Sequence, residues 1–527
     1  MKQDVEMTFG AFFLQAAERR PSSDFLIFVD TRHTYESMRV SAMRRAASFL
    51  VSGIQPGEHV GLLMTNCPVY IECLLGLQFI GAVAVPINAR YKAHELAHVL
   101  SNAEIKTVVT HDLISDYVDF GDLLLAAIAT NDMLSVTEMV MFGKPRIGFI
   151  DDDTFDARAD QISPQEVLDT LATVNASDTS MMLYTSGTTA DPKGCPLHHG
   201  MLIPNGINMN RSRYFLKPTD RFWAPLPMFH MASILPMLCC IDAGAAFLSM
   251  IHFEPGLALQ IMEEEQVTIA FPCFPMVTAA LISHVDFGCR DLSNIRRINN
   301  SAAPDVLKTF QMAFPQAVQT GAYGLTESGG VIAFNHPDEP LSTRLTTCGK
   351  PMPGLDAKIM DPETLRPRVT NEKGEIWLRG YAIFKGYYKS PEKNKEAFHD
   401  GWFRTGDLGA LTPGGEIEFH GRLKDMLKVG GENVAAIEIE SLLSQHAAVK
   451  VVQVIGVPDD HLFEVACAYV ECHKGQTVNE QDLILFCHGK IASFKIPRYV
   501  RNVHVWPMSS TKIQKYILRE WFDDEAA

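Results

Sequence analysis

The densest group of residues that could do chemistry is YTSGTTADPKG, residues 184–194, directly after the strand-like run TSMML. Its glycines let backbone N–H groups approach an anion, its hydroxyls donate hydrogen bonds, and its lysine adds a positive charge. The segment is not the G-x-x-x-x-G-K-[ST] loop, because Gly194 and Cys195 follow Lys193 where that loop has Ser or Thr. The pattern predicts a phosphate-binding loop of another kind, with a Ser/Thr-rich surface turn as the alternative.

Three later segments add groups that suit a nucleotide. In AYGLTESGG, residues 322–330, a Thr–Glu pair offers a hydroxyl and a carboxylate to phosphate and Mg²⁺. In GWFRTGDLG, residues 401–409, an Asp can accept the hydroxyls of a ribose. The tail PMSSTKIQKYILRE carries Lys512 and Lys515. Each segment alone is equally typical of a helix start, a turn or a solvated surface.

The elements that would position these groups alternate along the chain. From about residue 57, short apolar runs such as EHVGLLMT, AVAVPI and KTVVT alternate with helical patterns over 70–80 and 93–101. This rhythm predicts βαβ units around a largely parallel sheet. It returns with AAFLSM and VTIAFP and with helical patterns over 257–265 and 276–284. Two such α/β layers are therefore expected.

The texture changes in the last third of the sequence. After Gly374, strand-like pieces such as EIWLRG and EIEFHG predict a smaller β-rich section. The last hundred or so residues alternate like strands and carry a helical pattern over 479–491, which is typical of a compact α+β unit. We predict an α/β protein with a large N-terminal domain, residues 1–421, and a small C-terminal domain, residues 422–527.

Composition narrows the class of protein. The 527 residues are 47% hydrophobic and 20% charged, as in ordinary globular proteins. The formal charge of -16 opposes non-specific binding to nucleic acid or an anionic membrane. The apolar run 231–251 is broken by Pro236, Asp242 and Gly244, which predicts a helix, a turn and a buried strand, with a kink or boundary at the proline. Eleven cysteines without a C-x-x-C pair favour free thiols in a reducing cytoplasm.

Taken together, the four segments, in this order between about residues 8 and 520, resemble the adenylate-forming superfamily of acyl-CoA synthetases, luciferases and peptide-synthetase adenylation domains. The resemblance is greatest to the acyl-CoA synthetase branch. It implies a large domain of two α/β layers and a small barrel-like sheet, a mobile C-terminal domain that turns about a hinge at Lys424, and an active site between the two.

The resemblance also implies roles for individual residues. The following residues would bind the β- and γ-phosphates of ATP: Thr185, Ser186, Gly187, Thr188, Thr189 and Lys193. The following would lie against adenine: Ser301, Ala302, Ala303, Ala322 and Tyr323. The remaining contacts would be Thr326 to the α-phosphate, Glu327 to Mg²⁺, Asp407 and Arg422 to the ribose, and Lys428, Gly430 and Gly431 as further cofactor-binding residues.

Lys512 aligns with the catalytic lysine of the family. A carboxylate must attack an anionic phosphorus, so a lysine and Mg²⁺ would offset the gathering charge. The second step, attack by the CoA sulfur, would require the C-terminal domain to rotate. Two departures from the family pattern are Thr511 and Ala190, where glycines are usual. Because of the first, Lys515 stays open as a rival to Lys512.

The acid would be bound by PLPMFHMAS, residues 225–233, with Phe229 and His230 near its carboxylate; a packed core histidine is the alternative for His230. No Asp is present there to pair with a substrate ammonium. The other expected walls are apolar or neutral, which favours an uncharged acyl group: residues 271–276, 299–301 and 329–332. Asn299 or Asn300 is a candidate for recognising a hydroxyl or carbonyl on the acid.

The resemblance therefore implies an ATP-dependent acid–CoA ligase that makes acyl-CoA, AMP and pyrophosphate. The acid would be a medium or long fatty acid, or a comparably apolar cyclic or aromatic acid. Three alternatives are an acyl-AMP ligase that loads a carrier protein, a non-catalytic adenylate or CoA sensor, and a luciferase-like oxidase. The expected partners are the acid, ATP and CoA, with no nucleic acid, no transmembrane segment and at most peripheral membrane contact; a homodimer is a family expectation.

Overall fold

The computed structural model describes residues 6–130, 136–185, 192–302, 304–429, 432–459, 461–509 and 512–526. The chain forms two compact units. The large unit contains Met1–Asp356 and Leu378–Phe403, and the small unit contains Ala357–Trp377 and Arg404–Ala527. The predicted division into domains of residues 1–421 and 422–527 stays a prediction.

The first sheet of the large unit has seven strands. All neighbours in it are parallel except the last pair, which is antiparallel. In spatial order the strands are Val318–Thr320, Arg297–Asn300, Ile269–Cys273, Arg221–Trp223, Ala246–Ser249, Asp24–Phe28 and Thr31–Thr34.

The second sheet repeats this plan, with one antiparallel edge strand on an otherwise parallel sheet. In spatial order its strands are Ile150–Asp151, Glu138–Phe142, Thr107–His111, His59–Leu63, Val83–Pro86, Thr179–Thr185 and Lys193–His198. The central strands are buried along their length, as expected for a parallel sheet with helices on its faces.

Helices connect the strands. Those of the large unit are Phe9–Arg19, Tyr35–Val51, Pro68–Phe79, Ala93–Asn102, Phe120–Ala129, Asp152–Ala157, Pro164–Leu171, His199–Met209, Met231–Ala243, Pro255–Glu264, Pro275–Ser283, Pro304–Ala313, Leu341–Thr346 and Pro391–Ala397. Several begin at a side chain that accepts a backbone N–H, such as Thr8, Thr34 and Asp119.

Smaller sheets complete the central part of the chain. A three-stranded sheet contains Ala322–Tyr323, Ala333–Phe334 and Lys350–Pro351. A five-stranded sheet contains Leu355–Met360, Gly374–Gly380, Phe398–His399, Trp402–Leu411 and Ile417–Arg422. The five-stranded sheet corresponds to the β-rich section predicted after Gly374.

The C-terminal part of the small unit is an α+β fold. Its sheet contains Glu432–Ala435, Met426–Val429, Phe463–Cys472, Val449–Asp459 and Tyr499–Asn502, and a hairpin pairs Met508–Ser509 with Lys512–Ile513. Its helices are Ala436–Leu443, Glu480–Cys487 and Lys515–Ala526. The first two cover a core of Val, Leu and Ala side chains from the strands, and the third packs through Leu518 into a second core with Ile455, Val457 and Val465.

The predicted α/β fold with two parallel layers is confirmed. Two details differ from the sequence prediction. The helix predicted over 479–491 ends at Cys487, because His488 takes an extended conformation. Of the kink or boundary expected at Pro236, the boundary is wrong, because the proline lies inside the helix Met231–Ala243. The helix ends at Gly244, whose φ of 69° is left-handed. The strand Ala246–Ser249 then follows, as predicted.

Two further predictions concern the cysteines and the membrane. All eleven cysteines lie in the described ranges and are free, and most are buried, as predicted. Among the described residues, no helix is long and apolar enough to cross a bilayer.

Candidate active site

The predicted adenine segment and part of the predicted acyl walls lie at one edge of the first sheet. The parallel strands 269–273, 297–300 and 318–320 lie side by side and point the same way. Residues 274–276, 301–302 and 321–323 leave these strands at their carboxyl ends. Ligands of open α/β sheets bind at this edge, so the fold places the predicted adenine and acyl segments where a ligand site is expected.

The predicted phosphate loop joins the two edge strands of the second sheet. Thr179–Thr185 pairs antiparallel with Lys193–His198, so that Thr185 lies directly opposite Lys193. Ser186, Gly187, Thr188 and Thr189 lie outside the described residues. This pairing therefore fixes the positions of Thr185 and Lys193 at the two ends of the loop.

The helix Ala93–Asn102 supports the strands that carry this loop. A ring nitrogen of His98 lies 3.0 Å from the carbonyl oxygen of Pro192, one residue before Lys193. At the helix end, the side-chain oxygen of Asn102 accepts the Tyr184 hydroxyl at 2.6 Å. Burial raises the pKa of Tyr184, so its hydroxyl keeps its proton and remains a donor. Neither support was predicted, because the partners stand 94 and 82 residues apart along the chain.

The acidic turn that carries Thr326 and Glu327 is fixed by close backbone packing. Thr326–Ser328 forms a 3-10 turn, and Ser328 Oγ accepts the Leu325 N–H at 3.1 Å. A Cβ on Gly324 would lie 1.8 Å from the carbonyl oxygen of Gly330, so only glycine fits there. The buried Asn205 amide donates to the carbonyls of Gly329 and Val331 at 2.9 and 3.0 Å.

Glu327 is joined to the phosphate loop through Tyr387. The Tyr387 hydroxyl donates to a carboxylate oxygen of Glu327 at 2.8 Å. The Lys193 ammonium lies 5.2 Å from the centre of the same tyrosine ring. Two residues predicted from separate motifs, Lys193 and Glu327, thus contact one side chain, and that side chain was not predicted.

A single half-exposed carboxylate suits Mg²⁺ that arrives with a nucleotide. Within the described ranges, no group of three or more His, Cys, Asp or Glu side chains comes together to hold a metal ion. Magnesium bound to ATP takes most of its ligands from phosphates and water and only one or two from protein carboxylates. Glu327, on its rigid turn, fits this requirement.

The predicted adenine segment is tied to its neighbours by backbone contacts. The Ser301 N–H donates to the Cys273 carbonyl at 2.8 Å, and Ser301 Oγ donates to the Ala322 carbonyl at 3.2 Å. Ala302 follows at the same sheet edge, whereas Ala303 lies outside the described residues. Ala322 and Tyr323 form a short strand that pairs with Ala333 and Phe334. Ser301 and Ala322, predicted to lie against adenine, are therefore in direct contact.

The predicted acyl segment begins a helix that packs against the acidic turn. His230 precedes the helix Met231–Ala243 and is half-buried. A Cβ on Gly330 would meet Leu235 at 3.1 Å and Met231 at 3.3 Å, so helix and turn are in close contact. Phe229, in contrast, packs into the apolar core of the second sheet with Met182. Phe229 thus belongs to the core, whereas the helix that follows it packs beside the turn that carries Thr326 and Glu327.

Asn299 and Asn300 were candidates for recognising a polar group on the acid. Both side chains are fully buried. The Asn300 amide is used at both ends, because its oxygen accepts the Thr278 hydroxyl and its nitrogen donates to Gln319. The Asn299 nitrogen donates to the Thr320 carbonyl at 3.1 Å. These contacts give Asn300 a structural role. The side-chain oxygen of Asn299 is buried and has no hydrogen-bond partner among the described residues, so Asn299 stays a candidate.

In the small unit, Asp407 and Arg422 face each other across two antiparallel strands. Arg422 Nε lies 2.9 Å from a carboxylate oxygen of Asp407, which is almost completely buried. Arg422 also donates to the Thr405 carbonyl at 3.3 Å, and Thr405 Oγ1 accepts the Asp407 N–H at 3.0 Å. The two residues predicted for the ribose therefore form one ion pair between neighbouring strands.

Glu375, a buried carboxylate that was not predicted as a site residue, supports the strand that carries Asp407. Glu375 accepts the Gly406 N–H at 3.1 Å, the Trp377 indole N–H at 2.9 Å and the Arg404 guanidinium at 2.9 Å. A buried charge needs such partners. The only sequence signal was a lone acidic residue in the apolar run EIWLRG.

The two candidate catalytic lysines differ in the small unit. Lys515 Nζ lies 2.6 Å from Glu440 and donates to the Val454 carbonyl at 3.0 Å, and both charged side chains are largely buried. The backbone of Lys512 lies in the hairpin strand Lys512–Ile513; its side chain is not described. Lys515 therefore already has a structural role in the small unit.

The other predicted residues of the small unit lie near the expected hinge. Lys424 is in the 3-10 turn Leu423–Asp425, and its pKa is lowered by partial burial and by Arg422 and nearby cations, against the effect of Asp425. Lys428 is exposed on the strand Met426–Val429, and its N–H donates to Glu464 at 2.6 Å. Gly430 and Gly431 lie outside the described residues.

Known proteins are similar to this chain in sequence and in fold. The model of the AMP-binding enzyme family matches residues 13–388, and that of the AMP-binding enzyme C-terminal domain matches residues 438–512. The chain is 33% identical to a putative acyl-CoA synthetase, YngI, of Bacillus subtilis, over 99% of this chain and 98% of YngI. It is 27% identical to the mitochondrial medium-chain acyl-CoA ligase ACSF2 of Rattus norvegicus, over 98% and 88% of the two chains.

Among solved structures, ATP-bound MatB from Rhodopseudomonas palustris superposes with a TM-score of 0.82. The two chains are 26% identical, and 99% of this chain and 100% of MatB are covered. Family models and full-length relatives thus cover both units. The chain belongs to the AMP-binding enzyme family, in its branch of acyl-CoA synthetases and ligases.

Proposed function

We propose that this enzyme is an ATP-dependent ligase that joins an apolar carboxylic acid to CoA, with medium and long fatty acids as its main substrates. The observation that carries the acid class is the wall beside the acidic turn, where Met231 and Leu235 pack on Gly330. An apolar wall selects a water-poor acyl group. No Asp stands in residues 225–233 to pair with an amino group, which argues against amino acids.

In the first half-reaction, a carboxylate oxygen of the acid attacks the α-phosphorus of ATP, and pyrophosphate leaves. Thr326 and the phosphate loop would hold the phosphates, and Asp407 with Arg422 would hold the ribose. Mg²⁺ on Glu327 would supply charge neutralisation at the phosphates. Lys512 would bring its ammonium to the meeting point of the two anions, where a positive charge lowers the barrier.

Lys512 is preferred over Lys515 for this role because Lys515 is held by Glu440 and Val454. Moving Lys515 to a substrate would leave the largely buried Glu440 carboxylate without its cation, which is costly. His230, half-buried at the start of the helix 231–243, would donate a hydrogen bond to the acid carboxylate and orient it.

In the second half-reaction, the CoA sulfur attacks the acyl carbon of the adenylate, loses its proton, and AMP leaves. Lys428, Gly430 and Gly431 would contact the cofactor after rotation about Lys424. The name of ACSF2, a medium-chain acyl-CoA ligase, supports a fatty acid as the acyl donor. A cyclic or aromatic acid is the second candidate, because an apolar wall does not distinguish a ring from a chain.

The test is pyrophosphate release by the purified enzyme with ATP, Mg²⁺ and a panel of acids, with and without CoA, and with products identified by mass. The panel contains octanoate, palmitate, benzoate, 4-coumarate and a sterol side-chain acid. We expect a CoA-dependent thioester with octanoate or palmitate. Accumulation of acyl-AMP without thioester would instead indicate transfer to a carrier protein. No pyrophosphate with any acid would contradict the proposal and favour a sensor.

A further inference from the structure

Tyr387 contacts both charged groups of the large unit that the proposed function assigns to ATP and its metal. Its hydroxyl donates to one carboxylate oxygen of Glu327 at 2.8 Å. Its ring lies 5.2 Å below the Lys193 ammonium, within the range of a cation–π contact. One side chain therefore touches an anion through its hydroxyl and a cation through its face.

The position of Tyr387 is fixed by its surroundings. The Asn394 side chain accepts the Tyr387 N–H at 2.7 Å and donates to the Tyr387 carbonyl at 3.0 Å. Gly386 has a φ of 133°, and a Cβ there would lie 2.9 Å from the Asn394 amide, so glycine permits this clamp. The Tyr387 ring also packs edge-on against Phe384 at 4.9 Å.

The same segment is bonded to the backbone of the acidic turn. The Phe384 N–H donates to the Glu327 carbonyl at 2.9 Å. Glu327 is thus held by two bonds from one short segment, at its backbone from Phe384 and at its carboxylate from Tyr387. Mutation of a partner that orients a metal-binding carboxylate typically lowers metal affinity roughly 10- to 100-fold.

We propose that Tyr387 is a positioning residue for the metal–nucleotide complex. Its hydroxyl holds one oxygen of the Glu327 carboxylate, which presents the carboxylate to the cation that accompanies ATP. Its ring face keeps the Lys193 ammonium beside the same phosphates. This inference rests on the proposed function, in which Glu327 and Lys193 bind Mg²⁺ and ATP.

The test is the binding of Mn²⁺ to the enzyme in the presence of ATP and in the absence of acid and CoA. Binding is measured from the electron paramagnetic resonance signal of free Mn²⁺. Tyr387→Phe keeps the ring and removes the hydroxyl. We expect its affinity for Mn²⁺ in the presence of ATP to fall about tenfold, the low end of the effect of such partners on metal affinity. In turnover, the Mg²⁺ concentration for half-maximal rate should rise similarly, while the KM for the acid stays unchanged.

The matched control is Tyr388→Phe. The Tyr388 hydroxyl bonds to Glu104 at 3.1 Å on the surface, so its loss should leave Mn²⁺ binding at the wild-type value. A second variant, Asn394→Ala, removes the clamp on the Tyr387 backbone and leaves the hydroxyl in place. It should weaken Mn²⁺ binding in the same direction, and it provides the test if Tyr387→Phe folds poorly.

Two outcomes would overturn the inference, and Glu327→Gln separates them. If Glu327→Gln weakens Mn²⁺ binding and Tyr387→Phe does not, the carboxylate binds the metal without help from Tyr387. If neither variant weakens it, Glu327 is not the metal ligand and the assignment of both residues is wrong. An error in the acid or CoA specificity of the proposed function would leave the Mn²⁺ measurement unaffected, so the two failures are distinguishable.

Discussion

At the scale of single residues, the same type of side chain has different roles because of what surrounds it. The Lys515 ammonium forms an ion pair with Glu440 and donates a hydrogen bond to the Val454 carbonyl. Lys515 therefore stabilises the small unit. Lys512 lies in a two-residue hairpin strand at the position that the family motif assigns to catalysis. Their sequence neighbourhood, STKIQK, does not separate them.

Replacement of the two lysines should therefore give different defects. We expect Lys512→Ala to abolish pyrophosphate release while thioester formation from supplied acyl-AMP continues at close to the wild-type rate. Lys515→Ala should keep adenylation but lower the free energy of unfolding by roughly 1 to 3 kcal/mol, the cost of leaving a buried polar partner unpaired. The measurements are the two half-reaction rates and urea unfolding. Loss of adenylation only in Lys515→Ala would reverse the assignment.

Sequence patterns identified the residues that a motif places side by side, such as Thr326 with Glu327. They did not identify Tyr387, Glu375 or Asn205. One partner of each, namely Glu327, Gly406 and Gly329, stands 60, 31 and 124 residues away along the chain. When its contact partner is distant in sequence, a tyrosine or a glutamate looks like an ordinary surface or core residue. Only the folded structure shows the contact that gives it a role.

At the scale of elements, the helix Ala93–Asn102 acts on the phosphate loop from outside it. His98 meets the Pro192 carbonyl, and Asn102 holds the hydroxyl of Tyr184. Its other face packs into the apolar core of the second sheet through Leu96, Val99 and Leu100. A helix anchored in this way gives the ends of the loop a fixed base, and pre-organised backbone groups bind phosphate at a lower entropic cost.

Loss of this support should weaken ATP binding selectively. We expect His98→Ala to raise the KM for ATP roughly three- to tenfold, as for the loss of one hydrogen bond worth about 1 kcal/mol. The KM for CoA should not change. His94 is exposed on the same helix, so His94→Ala is the matched control and should behave as wild type. Equal KM values for ATP in the two variants would show that the loop does not depend on His98.

The elements themselves were predictable to a large extent. Apolar runs such as GLLM and TVVT became central strands because both of their faces are buried, and that burial pattern is visible in sequence. The end of the helix at Cys487 was not predicted, because the apolar pattern continues to Ile491 although the backbone becomes extended at His488. Helix ends depend on local backbone conformation, which hydrophobic periodicity does not encode.

At the scale of the whole molecule, buried histidines make stability depend on pH. His111 and His199 are buried in the large unit, and burial lowers the pKa of each to about 4. His199 Nδ1 accepts the Phe9 N–H at 3.0 Å, which requires the neutral ring. An unfolded chain binds a proton at each histidine near pH 6.5, so between about pH 6.5 and 4 acid favours the unfolded state.

The large unit should therefore lose stability on mild acidification. In this window each of the two histidines lowers the free energy of unfolding by up to about 1.4 kcal/mol for every unit by which the pH falls. His199→Asn keeps an acceptor near the Phe9 N–H and cannot titrate. We expect this variant to be less stable than wild type at pH 7 but to lose less of its Tm between pH 7 and pH 5. An identical Tm loss in both proteins would contradict the assignment.

The distribution of the cysteines has a use in spectroscopy. Burial raises the pKa of Cys67 and Cys467 to about 12, so these thiols remain protonated and slow to react at neutral pH. Of the eleven cysteines, all within the described ranges, Cys289 is the exposed one, and it lies in the large unit. A maleimide fluorophore should therefore label this position first. With an acceptor dye on Lys474→Cys, in an exposed loop of the small unit, energy transfer would follow the predicted rotation about Lys424 as ATP is exchanged for CoA.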